Sequence, residues 1–158
     1  MKKALVIASI VFLVALTAAA QKRPRVAESF IAAWNSHEVE KVISLFTNDV
    51  LYEDVTFGAV NHGPSDLRKF AASIFEAVPD VRFELVNSTV NGDHGTIEWV
   101  FTGTDKELYK TGKRFSVRGV SVIDLRGGRI SRNLDFYDAA SIMRQVGLLA
   151  SDKTDSAK

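Results

Sequence analysis

The sequence predicts an α+β domain, and three observations carry that prediction. Apolar residues recur at helical spacing in three segments before residue 80 and in one after residue 138, whereas the stretch between them alternates apolar and polar. The alternating stretches meet at Asn91-Gly92 and Gly127-Gly128, turn sequences that close hairpins. A length of 158 residues suits one packed domain, and helices set apart from hairpin-linked strands pack as an α+β fold rather than as alternating βα units.

The chain starts with a separate signal. Met1-Lys2-Lys3 precedes residues 4–20, which are apolar except for Ser9 and Thr17 and exit through Ala18-Ala19-Ala20. A basic start, an apolar run and a small-residue exit mark a signal peptide over residues 1–20, cut after Ala20, and hence a periplasmic or secreted protein. An uncleaved membrane anchor is the alternative, because such a run approaches the roughly 30 Å of a bilayer core and Lys22, Arg23 and Arg25 follow directly. Residues 21–25 are then a linker, 26–149 the domain and 150–158 a polar, disordered tail. The formal charge of +1 comes from the signal: without Lys2 and Lys3, 18 basic residues face 19 acidic ones, a net of −1. That balance argues against a nucleic-acid partner, and after cleavage no membrane contact is expected. The lack of cysteine excludes disulfides, a thiol nucleophile and thiolate-bound metal.

Within the domain, Val26, Phe30, Ala33 and Trp34 share one helical face, which ends at Asn35-Ser36. Val39, Val42, Ile43 and Phe46 repeat the pattern and predict a second helix closing near Asn48-Asp49. A short strand over 50–54 follows. Leu67, Phe70, Ala71 and Ile74 form the third helix, started by Pro64-Ser65-Asp66 and stopped by Pro79. Val81, Phe83 and Leu85, then Ile97, Trp99 and Phe101, alternate as strands. Residues 114–125 form a long strand that turns into another over 129–136. Ala139, Ile142, Met143 and Val146 make the last helix, with Asp138 as its cap and Gly147 just past its end. A curved sheet of these antiparallel strands wraps its concave face around the helices and leaves an internal pocket where packing is incomplete.

Three stretches resemble the SnoaL-like polyketide cyclase branch of the NTF2-like (ketosteroid isomerase-like) superfamily: FIAAWNSHEVEKVISLFTNDVLYED, FGAVNHGPSDLRKF and GGRISRNLDFYDAASIMRQVGLL. The resemblance covers nearly the whole domain and implies that family's cone fold. It also implies roles for two aspartates. Asp135, in SRNLDFYD, matches the general acid/base of SnoaL-type cyclases, and Asp54, in LYEDVTFG, resembles the aspartate base of ketosteroid isomerase. A buried carboxylate with a raised pKa can remove a proton next to a carbonyl. Pattern alone reads otherwise: Ser131, Asn133 and Asp135 share a polar parity that suits solvent, and Asp54 suits a turn. Glu53, of opposite parity, is expected outside.

The sequence also departs from both activities. SnoaL-type cyclases carry histidine where Ser121 stands, and the isomerase oxyanion hole matches Phe30 and the Gly119-Val120 region, none with a donor side chain. His37, His62 and His94 fall in turns with no ligand spacing, so no metal is expected, nor any cofactor. Neither a Gly-x-Ser-x-Gly elbow nor a phosphate loop is present. Trp34, Trp99 and Phe101 serve as core or as the apolar wall of a ligand site, Tyr52 and Tyr137 offer hydroxyls that orient a ligand, and Ser121 and Asn133 complete the expected ligand-binding set. Arg118 and Asp124 have the parity opposite to Ser121 and belong to the convex sheet face, where a homodimer is expected.

Two functions follow. The first is a cofactor-independent enzyme, a lyase, isomerase or hydrolase, acting on a small hydrophobic carbonyl-type metabolite with Asp135 and Asp54 as catalytic residues. The second is a non-catalytic periplasmic module that binds a lipophilic ligand or a protein.

Overall fold

A computed structural model describes residues 26–150. The expected signal peptide, its cut after Ala20, the linker and most of the polar tail lie outside the described residues. Four helices, α1 (Val26–Asn35), α2 (Val39–Ile43), α3 (Gly63–Ala77) and α4 (Ala139–Gln145), accompany six strands: β1 (Phe46–Asp54), β2 (Ala59–His62), β3 (Arg82–Asn91), β4 (His94–Thr104), β5 (Arg114–Arg126) and β6 (Arg129–Tyr137). The strands form one sheet in the order β2-β1-β6-β5-β4-β3.

The hairpin-linked run β3 to β6 is antiparallel throughout, as its turns predict. Gly92 and Gly127-Gly128 supply the positive φ that those turns require. The sheet is nonetheless mixed, because β1 joins it parallel to β6. That pairing sets Asp54 beside Asp135 and Tyr52 beside Asn133, bringing together residues about 80 positions apart in the chain.

Four local expectations need correction. The second helix stops at Ile43, and Phe46 opens β1 instead of closing a helix. The cause is an irregularity in the β1–β6 register between Phe46 and Leu51, where Asn48 and Asp49 are exposed between buried Phe46 and Val50. Four-residue spacing between buried positions imitates a helical face. The short strand β2 has one buried residue, Asn61, and so no alternation to reveal it. Asp138 holds the N-cap position of α4, yet its carboxylate makes no capping bond and accepts from Arg144 Nη2 at 3.2 Å. His94 likewise begins β4 rather than sitting in the turn, with Nδ1 2.7 Å from Asp124 Oδ1.

Helices cover the inner face: α1 packs on β3, α3 on β1 and α4 on β5. The core formed there includes Phe30, Trp34, Tyr52, Leu67, Ile97, Trp99, Ile123, Ile130 and Ile142. The end of α1 is stitched to β3 by Asn35, which accepts from the Phe83 N–H at 2.7 Å and donates to the Phe83 carbonyl at 2.8 Å. His37 continues the seam, its Nε2 2.9 Å from the Val81 carbonyl and its ring stacked on Phe75. These bonds fix the direction of Trp34, their neighbour in the chain.

Candidate active site

Two carboxylates face one cavity inside the cone. Asp135 is 7% exposed and Asp54 4%, and both lie on its wall with Tyr52 and Tyr137. The four belong to two adjacent strands and brace each other diagonally. Tyr52 Oη, on β1, donates to Asp135 Oδ2 on β6, and Tyr137 Oη, on β6, donates to Asp54 Oδ2 on β1 at 2.7 Å. Tyr–x–Asp on one strand and Asp–x–Tyr on its parallel partner produce this cross-brace once Asp54 and Asp135 share a register.

Asp135 is held from three directions. Ser121 Oγ donates to its Oδ1 at 2.6 Å and Asn133 Nδ2 to the same oxygen at 2.8 Å. The polarity of the Ser121 bond is enforced. Trp99 Nε1–H can only donate and reaches Ser121 Oγ at 2.9 Å, and an ionised carboxylate can only accept, so the serine hydroxyl accepts from Trp99 and donates to Asp135. Burial penalises the charged form of Asp135 and pushes its pKa up to about 6, against the downward pull of Ser121, Tyr52 and Asn133 and with a smaller upward push from the Asp54 charge. Asp54 is also raised by burial, opposed by the Tyr137 hydroxyl and by backbone N–H groups of its turn. Its Oδ1 accepts from the Phe57 N–H at 3.0 Å, so Asp54 initiates a turn and faces the cavity at once. Burial and the neighbouring carboxylates raise both tyrosines well above their ordinary value, which keeps them as phenol donors.

The rest of the wall is aromatic or aliphatic. Phe30 and Trp34 come from α1, Phe70 and Ile74 from α3, Phe83 from β3, and Trp99 and Phe101 from β4. The space is narrow, with about 30 Å³ open to the centre of a water-sized sphere. Of the residues expected at a ligand, Trp34, Tyr52, Trp99 and Phe101 lie on this wall. Ser121 and Asn133 do not: both are fully buried behind Asp135 and touch its carboxylate instead. Asn133 and Asp135 are buried, against the solvent-facing pattern, with Asn133 0% exposed, whereas Ser131 is half-buried and its hydroxyl donates to the Asp124 carbonyl at 3.2 Å. Glu53 is half-buried rather than exposed.

Phe30, Phe70, Ile74 and Phe83 also line the wall and are not in the ligand set read from the sequence. Their signal is present, since all four sit at apolar positions of their elements, but periodicity does not separate cavity lining from solid core. The three histidines are elsewhere, and among the described residues no three His, Asp or Glu side chains converge to hold a metal ion.

Comparison with known proteins places this architecture. Residues 27–133, well over half of the chain, match the SnoaL-like domain. The chain belongs to the SnoaL-like family. One relative, the cyclase aurE of Calcarisporium arbuscula, is 36% identical over 112 residues, which cover 69% of this chain and 82% of that protein. A structure of ketosteroid isomerase-like fold from Catenulispora acidiphila DSM 44928, in complex with trimethylamine, superposes with a TM-score of 0.73 at 26% identity, covering 81% of this chain and 96% of that one. A protein from Jannaschia sp. CCS1 assigned to the SnoaL-like polyketide cyclases shares the fold at a TM-score of 0.68 and 17% identity, over 77% of this chain and 88% of that one. The SnoaL-like match takes in Trp34, Tyr52, Asp54, Trp99, Phe101, Ser121 and Asn133, and it ends two residues before Asp135.

Proposed function

We propose that this SnoaL-like protein is a cofactor-independent acid/base enzyme of the cyclase or isomerase type, acting on a small, largely apolar carbonyl compound. One observation carries the proposal: a buried carboxylate, Asp135, held by three hydrogen bonds yet pushed up to about 6, on the wall of an aromatic cavity. A base of that pKa is mostly ionised at neutral pH and about a hundredfold more basic than an exposed aspartate. The three donors hold the carboxylate in place without neutralising it.

In the proposed mechanism Asp135 removes a proton from the carbon next to the substrate carbonyl. The C–H electron pair becomes the new C=C bond and the carbonyl π pair moves onto oxygen. In a cyclase the resulting enolate attacks a second carbonyl carbon of the same molecule, whose π pair moves onto its oxygen and takes the proton from Asp135; in an isomerase the enolate regains the proton at another carbon. Asp54, itself on the cavity wall and bonded by the Tyr137 hydroxyl, is the second acid/base group. Trp34, Trp99 and Phe101 supply the apolar wall that excludes water. The cyclase aurE as a relative supports a ring-closing reaction.

Two broader features belong to the same reading. The basic–apolar N-terminus supports export of the protein, with the mature chain starting at Gln21. The outer face of the sheet supports a homodimer: Glu98, Val120 and Phe136 lie side by side across β4, β5 and β6, and Phe136 is 40% exposed.

Deuterium uptake next to the carbonyl tests the chemistry without knowledge of the natural substrate. A panel of apolar ketones and 1,3-diketones is incubated with the protein in D2O and followed by NMR. Catalysed exchange is expected to rise with pH through about 6 and then level off, as the base form of Asp135 accumulates. Asp135→Asn is expected to lower it by at least about 100-fold. Exchange within about twofold of the parent would remove Asp135 from the chemistry and favour the binding module.

A further inference from the structure

Four side chains on the cavity wall carry a hydrogen that can be donated: Trp34, Tyr52, Trp99 and Tyr137. Three are committed. Tyr52 donates to Asp135, Tyr137 to Asp54 and Trp99 to Ser121. The fourth, Trp34 Nε1–H, is buried and has no hydrogen-bond partner among the described residues.

Its surroundings account for that. The rings of Phe30, Tyr52, Phe70, Phe75 and Phe83 lie with centroids between 5.7 and 6.5 Å from that of Trp34. Four of the five rings are phenylalanine and carry no acceptor, and the Tyr52 hydroxyl makes no hydrogen bond with the indole N–H. A buried donor without an acceptor is destabilising, and an indole cannot relieve this by accepting instead. Proton abstraction next to a carbonyl, meanwhile, needs a donor where negative charge builds on oxygen.

We propose that Trp34 Nε1–H binds the carbonyl oxygen of the substrate and the negative charge that develops on it. This rests on the acid/base reading above. As Asp135 takes the proton from the neighbouring carbon, the C–H pair forms the C=C bond and the π pair moves to the oxygen facing Trp34. When the proton returns to carbon, both pairs move back and the hydrogen bond weakens. The donor that binds the oxygen thus comes from α1, opposite the sheet that carries the base, and Asn35 and His37 anchor its end of the helix to β3.

The test uses 4-nitrophenolate, a planar oxyanion, with nitrobenzene as the control that lacks it. Binding is measured to the Asp135→Asn variant, which mimics the protonated acid that faces an enolate. The chain has two tryptophans, so its ¹H–¹⁵N spectrum has two indole N–H peaks, assigned with Trp34→Phe. The expected result is a downfield shift of the Trp34 peak with 4-nitrophenolate while the Trp99 peak, already bonded to Ser121, stays near its position. Replacing Trp34 with benzothienylalanine keeps the bicyclic shape and deletes the N–H. It is expected to weaken 4-nitrophenolate about tenfold or more and nitrobenzene by less than about twofold. If 4-nitrophenolate binds with the Trp34 peak unmoved, or equal losses occur for both compounds, Trp34 is only a packing residue and the acid/base reading stands. If neither compound binds, the cavity takes no such ligand, and both readings fall.

Discussion

Asp135 combines features that oppose each other at the level of a single residue. Ser121, Asn133 and Tyr52 all donate to it, which favours the carboxylate, yet burial outweighs them and raises its pKa to about 6. The sign has a consequence for stability. An aspartate that titrates near its ordinary value when unfolded and near 6 when folded binds its proton more tightly in the folded state. Its contribution is therefore most favourable below about pH 4 and is lost as pH rises through about 6. The loss is on the order of 3 kcal/mol. Asp135→Asn, which stays neutral, is expected to unfold at higher denaturant than the parent at pH 7.5, with the gap closing toward pH 4. Urea melts at the two pH values measure this, and an equal or lower midpoint for the variant at pH 7.5 would show that Asp135 carries no such penalty. The residue itself was legible in the sequence only through its resemblance to a known acid, because its parity with Ser131 and Asn133 reads as a solvent face. Its partners were less legible still. Ser121 and Asn133 are recognised as supports of Asp135 only when their distances are known, and nothing in their sequence context separates a ligand contact from a bond to another side chain.

Among the elements, the decisive one is β1, whose parallel pairing with β6 creates the site. The sequence predicts strands at both places but contains no signal of which strand neighbours which, since local alternation says nothing about pairing between residues about 80 apart. The irregularity after Phe46 also hid the start of β1 by imitating helical spacing. β4 and β5 show how closely two strands must meet behind the cavity. A Cβ built on Gly119 would stand 2.2 Å from Trp99 Cη2 and 2.9 Å from the Phe136 carbonyl oxygen. Glycine is needed there for space, because its backbone is not among those with positive φ. Gly119→Ala is expected to destabilise the fold by about 1–3 kcal/mol, and the displaced Trp99 loses its bond to Ser121. Chemical denaturation gives the first quantity, and the indole N–H shift of Trp99 reports the second. An unmoved Trp99 peak would mean the strands absorb the methyl group elsewhere.

At the scale of the whole molecule, the cone turns one face of its sheet inward onto helices and leaves the other outside. The outer row Glu98, Val120 and Phe136, flanked by the Arg118–Glu98 ion pair, is the surface on which the proposed homodimer would form. Phe136→Glu places a charge in that row without touching the cavity. It is expected to convert a dimer to a monomer in light scattering, with far-UV circular dichroism unchanged. A parent that is already monomeric at micromolar concentration rules the sheet-face dimer out.

By itself the sequence determined the α+β class, the hairpin run β3 to β6 with its glycine turns, the apolar faces of α1 and α3, and the acids and aromatic residues available for chemistry. These are local properties, written in periodicity and turn chemistry over a few residues. Only the tertiary structure decided that β1 lies parallel to β6, that the two Tyr–Asp pairs brace each other across that seam, and that Ser121 serves Asp135 rather than the cavity. Those outcomes depend on distances between residues far apart in the chain. Burial, which raises Asp135 and leaves the Trp34 N–H without an acceptor, belongs to the packed molecule and to no segment of it.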